Sequence, residues 1–177
     1  MGLNRVETGL NVPEDFNVII EIPMLADPIK YEVDKKSGAL VVDRFMSTSM
    51  HYPCNYGYVP GTLCGDGDPL DVLVLTPVPL MMGVIVRARP IGLLRMQDEH
   101  GEDAKVLAVP VKAVCGVYDD VQSTHDLPAL QLRQIEHFFQ HYKDLEAGKF
   151  VRLLGWGDPQ EARVEILRGV HAYRDAA

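Results

Sequence analysis

Cysteine is scarce in this chain and poorly placed for cross-linking. Cys54, Cys64 and Cys115 are odd in number and form no CxxC pair, which excludes a disulfide framework and a zinc knuckle and leaves free thiols of a reducing compartment. Long apolar runs are also missing. The most hydrophobic stretch, Val72 to Val86, is broken by Pro77 and Pro79 and is too short to span a bilayer. The N-terminus lacks a basic-then-apolar secretory pattern, and MGLNRV has Val6 where a myristoylation motif needs Ser or Thr. Basic excess is absent as well. Seventeen Lys and Arg stand against 25 Asp and Glu, a formal net charge of −8, the reverse of the balance carried by nucleic-acid binders that rely on phosphate contacts. There is no internal repeat, low-complexity tract or linker. The expectation is a cytoplasmic protein with neither membrane nor nucleic-acid partner. Residues 1–177 would form one domain, a length sufficient for a single core.

What is present begins as short strands set apart by Pro and Gly. In Phe16–Ile22, Phe16, Val18, Ile20 and Ile22 alternate with Asn17, Ile19 and Glu21, so Glu21 points away from the main apolar face. The spacing predicts further strands over 29–34 and 39–46, and antiparallel pairing would let Glu21, Lys30, Glu32 and Arg44 share one polar floor. Strands are also expected over 71–75, 84–94 and 106–111. The last third turns helical. A helix is expected from about Asp126-Leu127-Pro128, with an apolar stripe of Ile135, Phe138, Phe139, Tyr142 and Leu145 and a stop at Gly148. Asp158-Pro159-Gln160-Glu161 reads as an N-cap, a first-turn proline and a capping-box glutamate opening a C-terminal helix. Strands first and helices last argue for a small α+β domain, with helices packed on a β-barrel.

The chemistry concentrates in Gly65-Asp66-Gly67-Asp68-Pro69-Leu70-Asp71, three carboxylates in six residues. Such a cluster resists full ionisation without a cation, and its donor type suits hard, oxygen-seeking ions. Taken alone, a DxD is most often a solvated acidic turn. An EF-hand does not fit, because with Asp66 as first ligand the glycine position is Asp71 and the glutamate position is Pro77. A second acidic group, Gln97 to Lys105, reads as a hairpin loop. Carboxylates bind metals, and metals with Lys30, Arg44 and Lys105 bind phosphate. In His51-Tyr52-Pro53-Cys54-Asn55-Tyr56, Tyr52 and Tyr56 are either packing residues or donors to an oxyanion. Tyr142 and Lys143 either reach over a pocket or form the stripe and rim of the helix. His137 and His141 stand four apart in HFFQH, which lacks the glutamate of a zinc-hydrolase HExxH. They form either an exposed face or a pH-sensitive subunit contact.

These pieces together resemble the family I soluble inorganic pyrophosphatases, of the short bacterial kind, through almost the whole chain. The most specific element is the acidic signature Asp66-Gly67-Asp68-Pro69-Leu70-Asp71-Val72. Around it fall, in order, Glu21, Lys30 and Glu32 in IKYEV, Arg44 in VVDRF, and Tyr52 and Tyr56 in HYPCNYGYVPGT. Asp98, Asp103 and Lys105 in QDEHGEDAKVLAVP and Tyr142 and Lys143 in HFFQHYKDLE complete the set. The resemblance implies a five-stranded OB-type barrel with flanking helices, a homohexamer, and Mg²⁺-dependent hydrolysis of pyrophosphate to two phosphates. Several ions per site are expected, with Mn²⁺ or Zn²⁺ as substitutes. On this reading Asp66, Asp71, Asp98 and Asp103 are metal ligands. Asp68 is the general base for a metal-activated water attacking in line, with no covalent phosphoenzyme. Lys30, Arg44, Tyr56, Tyr142 and Lys143 hold substrate, supported by Glu21, Glu32, Tyr52 and Lys105. The rivals are an aspartyl-phosphate phosphatase using Asp66 as nucleophile and a barrel that binds metal or oligonucleotide without turnover.

Overall fold

The computed structural model describes residues 2–176. Alternation in the first apolar run produces strand β1 (Phe16–Ile22), followed by β2 (Ile29–Val33) and β3 (Leu40–Phe45). β2 and β3 pair antiparallel as a separate two-stranded ribbon, with Lys30 opposite Arg44. Next come β4 (Asn55–Tyr58), β5 (Asp71–Val74), β6 (Ile85–Asp98) and β7 (Gly101–Pro110). β1, β4, β5, β7 and β6 hydrogen-bond in that order, and β6 returns to β1, so five strands close a ring. All the ring pairings are antiparallel except β5 with β7. Helix α1 (Ala129–His141), strand β8 (Val151–Gly157) and helix α2 (Pro159–Ala176) complete the chain. β8 lies on the far half of β6, pairing Leu93 through Asp98. This is an α+β arrangement of a mixed sheet with two helices.

Both faces of the ring strands are covered, so they read as continuous apolar runs. Phe16, Val18, Ile20, Val72, Val74, Val106 and Ala108 pack in one cluster with Ala162 and Ile166 of α2. Leu73, Leu94 and Leu107 face a second cluster with Ile135, Phe138 and Phe139 of α1. Ile22 departs from the expected alternation. The register of β1 against β4 shifts between Ile20 and Ile22, and this bulge turns Ile22 into the second cluster with Tyr52 and Phe138.

The α2 entry follows the predicted capping box. The Glu161 N–H donates to Asp158 Oδ1 at 2.8 Å, and the Asp158 N–H donates to Glu161 Oε1 at 3.4 Å. The first helix is shorter than expected, ending at His141 with Tyr142 as its C-cap. Successive turn hydrogen bonds from Asp144, Glu146 and Lys149 replace the helix beyond it. Leu145, placed in the stripe from sequence, is 71% exposed. Gly148, at φ +77, serves the turn leading to β8 instead of the helix stop. β4 and β8 were not expected. No helix among the described residues is long and apolar enough to cross a membrane.

Candidate active site

The acidic signature folds as a tight loop between β4 and β5. The Cys64 N–H donates to the Asp68 carbonyl at 2.7 Å and the Gly67 N–H to the Cys64 carbonyl at 3.0 Å. Asp66 Oδ1 accepts the Asp68 N–H at 3.0 Å, an Asx-type closure. Gly67 sits at φ +86, where a side chain would be strained. The bend leaves Asp66 and Asp68 exposed and delivers Asp71 to the first position of β5. Asp66 is therefore several residues from any strand end, which removes the geometric basis for the aspartyl-phosphate rival.

Every site residue named from the sequence lines one cavity of about 700 Å³. β5, β7 and the end of β6 bring Asp71, Asp103 and Asp98 to it, and the β2–β3 ribbon supplies Lys30, Glu32 and Arg44. Asp98 and Gly101 bracket a two-residue turn, so the expected 97–105 loop is mostly strand. Lys105 is 3% exposed and donates to Asp71 at 2.6 Å and to Asp103 at 2.9 Å. Burial alone would lower its pKa, but Asp103 and Asp71 raise it well above the ordinary lysine value, so the ammonium stays charged. Lys143, just past the end of α1, donates to Asp98 at 2.7 Å. Lys30 pairs with Glu32.

Glu21 is buried where β1 bulges, and its Oε1 accepts the Val33 N–H at 2.8 Å. Burial, the largest influence, pushes its carboxyl up to about 8. Burial likewise raises the Tyr52, Tyr56 and Tyr142 hydroxyls above the ordinary phenol range, keeping them as O–H groups. Tyr52 is the most deeply buried of the three, its ring tilted against Tyr56 and Phe138 and edge-on to Phe139. Among the described residues, Arg44 Nε is the one buried side-chain nitrogen or oxygen without a hydrogen-bond partner. Such a donor is costly to leave unmade unless something else fills the position.

The donor set has consequences for metal. The aspartates offer only oxygen, which suits Mg²⁺-like ions; His100, which lines the same cavity, has its Nε2 3.6 Å from Glu99. Among the described residues, no three His, Cys, Asp or Glu side chains converge closely enough to hold an ion as they stand. Lys105 stands between Asp71 and Asp103, its ammonium within hydrogen-bond distance of both. The residues therefore fit a hard divalent ion chemically. Several contributors were missed from sequence. Lys35, Tyr58, Glu99 and Lys149 also line the cavity, and Glu146 lies 3.9 Å from Arg44. Their only signal is three-dimensional, because each sits in a stretch that reads as an ordinary turn or strand rim.

Carboxylates in number, set against Lys30, Arg44, Lys105 and Lys143 and against neutral hydroxyls in one cavity, give it the chemistry of a candidate enzyme site for a small, highly charged anion. Comparison with known proteins makes the class specific. The inorganic pyrophosphatase family profile matches residues 18–174. An inorganic pyrophosphatase of Rhodospirillum rubrum is 55% identical over 172 residues, covering 97% of this chain and 96% of that protein. One from Vibrio cholerae serotype O1 is 60% identical over 167 residues, covering 94% and 95%. The solved structure of an inorganic pyrophosphatase from Coxiella burnetii superposes with a TM-score of 0.92 at 54% identity, covering 95% of this chain and 99% of that one. The chain belongs to the inorganic pyrophosphatase family, of the family I type, whose members are enzymes hydrolysing pyrophosphate to phosphate.

Proposed function

We propose that residues 1–177 act as a single-domain, divalent-metal-dependent pyrophosphatase in which water attacks in line and no phosphoenzyme forms. The observation that carries this reading is Lys105 held between Asp71 and Asp103 on one wall of a cavity whose other walls carry Lys30, Arg44 and Lys143. Asp66, Asp71, Asp98 and Asp103 would hold Mg²⁺, with Mn²⁺ or Zn²⁺ as substitutes. When bound, such ions offset phosphate charge and lower the pKa of water.

The remaining work belongs to the chain. Lys30, Arg44 and Lys143 grip phosphoryl oxygens, Arg44 through the fork that leaves its Nε free to donate. Tyr56 and Tyr142 add O–H donors. Asp68 accepts the proton of the attacking water. The bridging P–O bond breaks, a new P–O bond forms to the water oxygen, and the proton ends on the products, so pyrophosphate and water yield two hydrogen phosphates. Glu21 and Glu32 brace the ribbon side of the site through the Val33 amide and Lys30. Lys105 neutralises Asp71 and Asp103, and Tyr52 backs Tyr56.

The same reading takes the five-strand ring as an OB-type barrel used only as a scaffold, which the acidic cavity supports. By resemblance the chain works as a homohexamer, and the three free cysteines suit a cytoplasmic setting. Phosphate release from pyrophosphate, measured with Mg²⁺ and with excess chelator, tests the reading, with ATP as control. Fast release from pyrophosphate that chelator abolishes, and little from ATP, is expected. Release that survives chelation would overturn it.

A further inference from the structure

Lys35 stands on a turn that is fixed from within and from outside. Asp34 Oδ2 accepts from the Ser37 N–H at 2.7 Å and from the Ser37 hydroxyl at 2.5 Å. The Gly38 N–H donates to the Asp34 carbonyl at 2.8 Å, with Gly38 at φ +68. A short 3-10 turn, Leu3–Arg5, straps this bend from the other side. Leu3 donates its N–H to the Gly38 carbonyl at 3.2 Å, and Asn4 Nδ2 donates to the Lys36 carbonyl at 3.3 Å and the Lys35 carbonyl at 3.5 Å. The fit is close enough that a Cβ on Gly38 would lie 2.7 Å from Asn4 Oδ1.

From this support the Lys35 ammonium reaches the acidic loop. It donates to Asp68 Oδ1 at 2.6 Å and to the Gly67 carbonyl at 2.9 Å. Among the described residues, Lys35 is the only side chain hydrogen-bonded to the Asp68 carboxylate. The side chains are 63% and 65% exposed, and an ion pair so open to water adds little to fold stability. An ion pair that adds so little to stability, set on a braced turn and holding one carboxylate at the mouth of the cavity, has its effect on that carboxylate's placement.

We propose that Lys35 is a positioning residue, holding the Asp68 carboxylate and the Gly67 backbone in the orientation from which Asp68 meets the attacking water. It rests on the reading of Asp68 as proton acceptor. The loop's own closure uses the Asp68 amide and carbonyl and leaves the carboxylate free to rotate. Small misplacements of a reacting group are costly out of proportion to the contact that prevents them. The 3-10 turn at Asn4 is then the outer support of the same device.

The test is a double-mutant kinetic cycle on the full-length enzyme at saturating Mg²⁺, with thermal unfolding alongside. Lys35→Met is expected to lower kcat by about tenfold while KM for pyrophosphate stays within about twofold and the melting temperature is unchanged. Lys35→Arg should recover most of the loss. In an Asp68→Asn background Lys35→Met should cost nothing further, because its effect passes through the group already removed. Wild-type kcat in Lys35→Met, with Asp68→Asn strongly impaired, overturns this inference alone. A rise in KM without loss of kcat overturns it too, making Lys35 a substrate contact. An equal loss in both backgrounds does the same, because Lys35 would then act elsewhere. Near-normal turnover in Asp68→Asn sinks both the base assignment and the inference built on it.

Discussion

The crowded carboxylates of the site are each given a donor. Lys105 serves Asp71 and Asp103, Lys143 serves Asp98, Lys35 serves Asp68, and Asp66 accepts a backbone N–H. A cation beside a carboxylate offsets its repulsion by neighbouring carboxylates, more strongly for the buried Lys105 and Lys143 pairs than for the exposed Lys35 pair. The differences in burial predict different mutant behaviour. Asp68 is exposed and its side chain makes no hydrogen bond beyond the one from Lys35, so Asp68→Asn should leave thermal stability nearly intact. Its loss as proton acceptor should lower turnover by about 10²-fold or more, and kcat measured at saturating metal checks this. Asp71 is half-buried at the head of β5, where it pairs with Tyr58 across the sheet and its carboxylate meets Lys105. Asp71→Asn should instead raise the Mg²⁺ concentration needed for half-maximal rate. A Mg²⁺ titration superimposable on wild type would contradict its role as a ligand.

At the level of elements, the acidic loop is seated by α2 as well as by the sheet. The Leu63 N–H donates to the Gly169 carbonyl at 3.0 Å. Thr62, whose hydroxyl donates to the Val59 carbonyl and accepts the Leu70 N–H, lies 3.1 Å from where a Gly169 Cβ would stand. Asp158→Ala removes one half of the box that starts this helix. The expected cost is about 1 kcal/mol, a fall in melting temperature of roughly 2–4 °C for a chain this size, with turnover little changed. An unaltered melting curve would show that the cap carries no stability.

That box was legible because its signal is local, as were β1 to β3, whose periodicity survives without knowledge of their partners. β4 was not, since Pro53 and Gly57 look like turn residues until Gly57 is placed against Ile19. A Cβ on Gly57 would lie 2.0 Å from the Ile19 carbonyl oxygen. β8 was hidden because Gly155 and Gly157 read as turn residues, and Gly155 does sit at φ +94 within the strand. The end of α1 was misplaced because Leu145 keeps helical spacing while the backbone has already turned. The site residues sitting in recognisable motifs could be named, whereas Lys35 and Glu146 could not. Their partners are 33 and 102 positions away, and no local pattern marks a contact of that range.

Over the whole molecule, a net charge of −8 sets a problem for an enzyme of an anionic substrate, and the proposed assembly of copies would face the same repulsion. Lysines at the cavity mouth answer the first locally. For assembly, the exposed face of α1 is the informative surface. His137 and His141 lie with ring centroids 4.8 Å apart, and His141 Nδ1 is 2.8 Å from Asp144 Oδ2. If copies pack through this face, the two rings and Arg133 one turn away form its polar part. Sedimentation velocity at a single pH should then show the wild type as a larger species than a variant carrying His137→Ala and His141→Ala. An identical size for the two would place the contact on another surface.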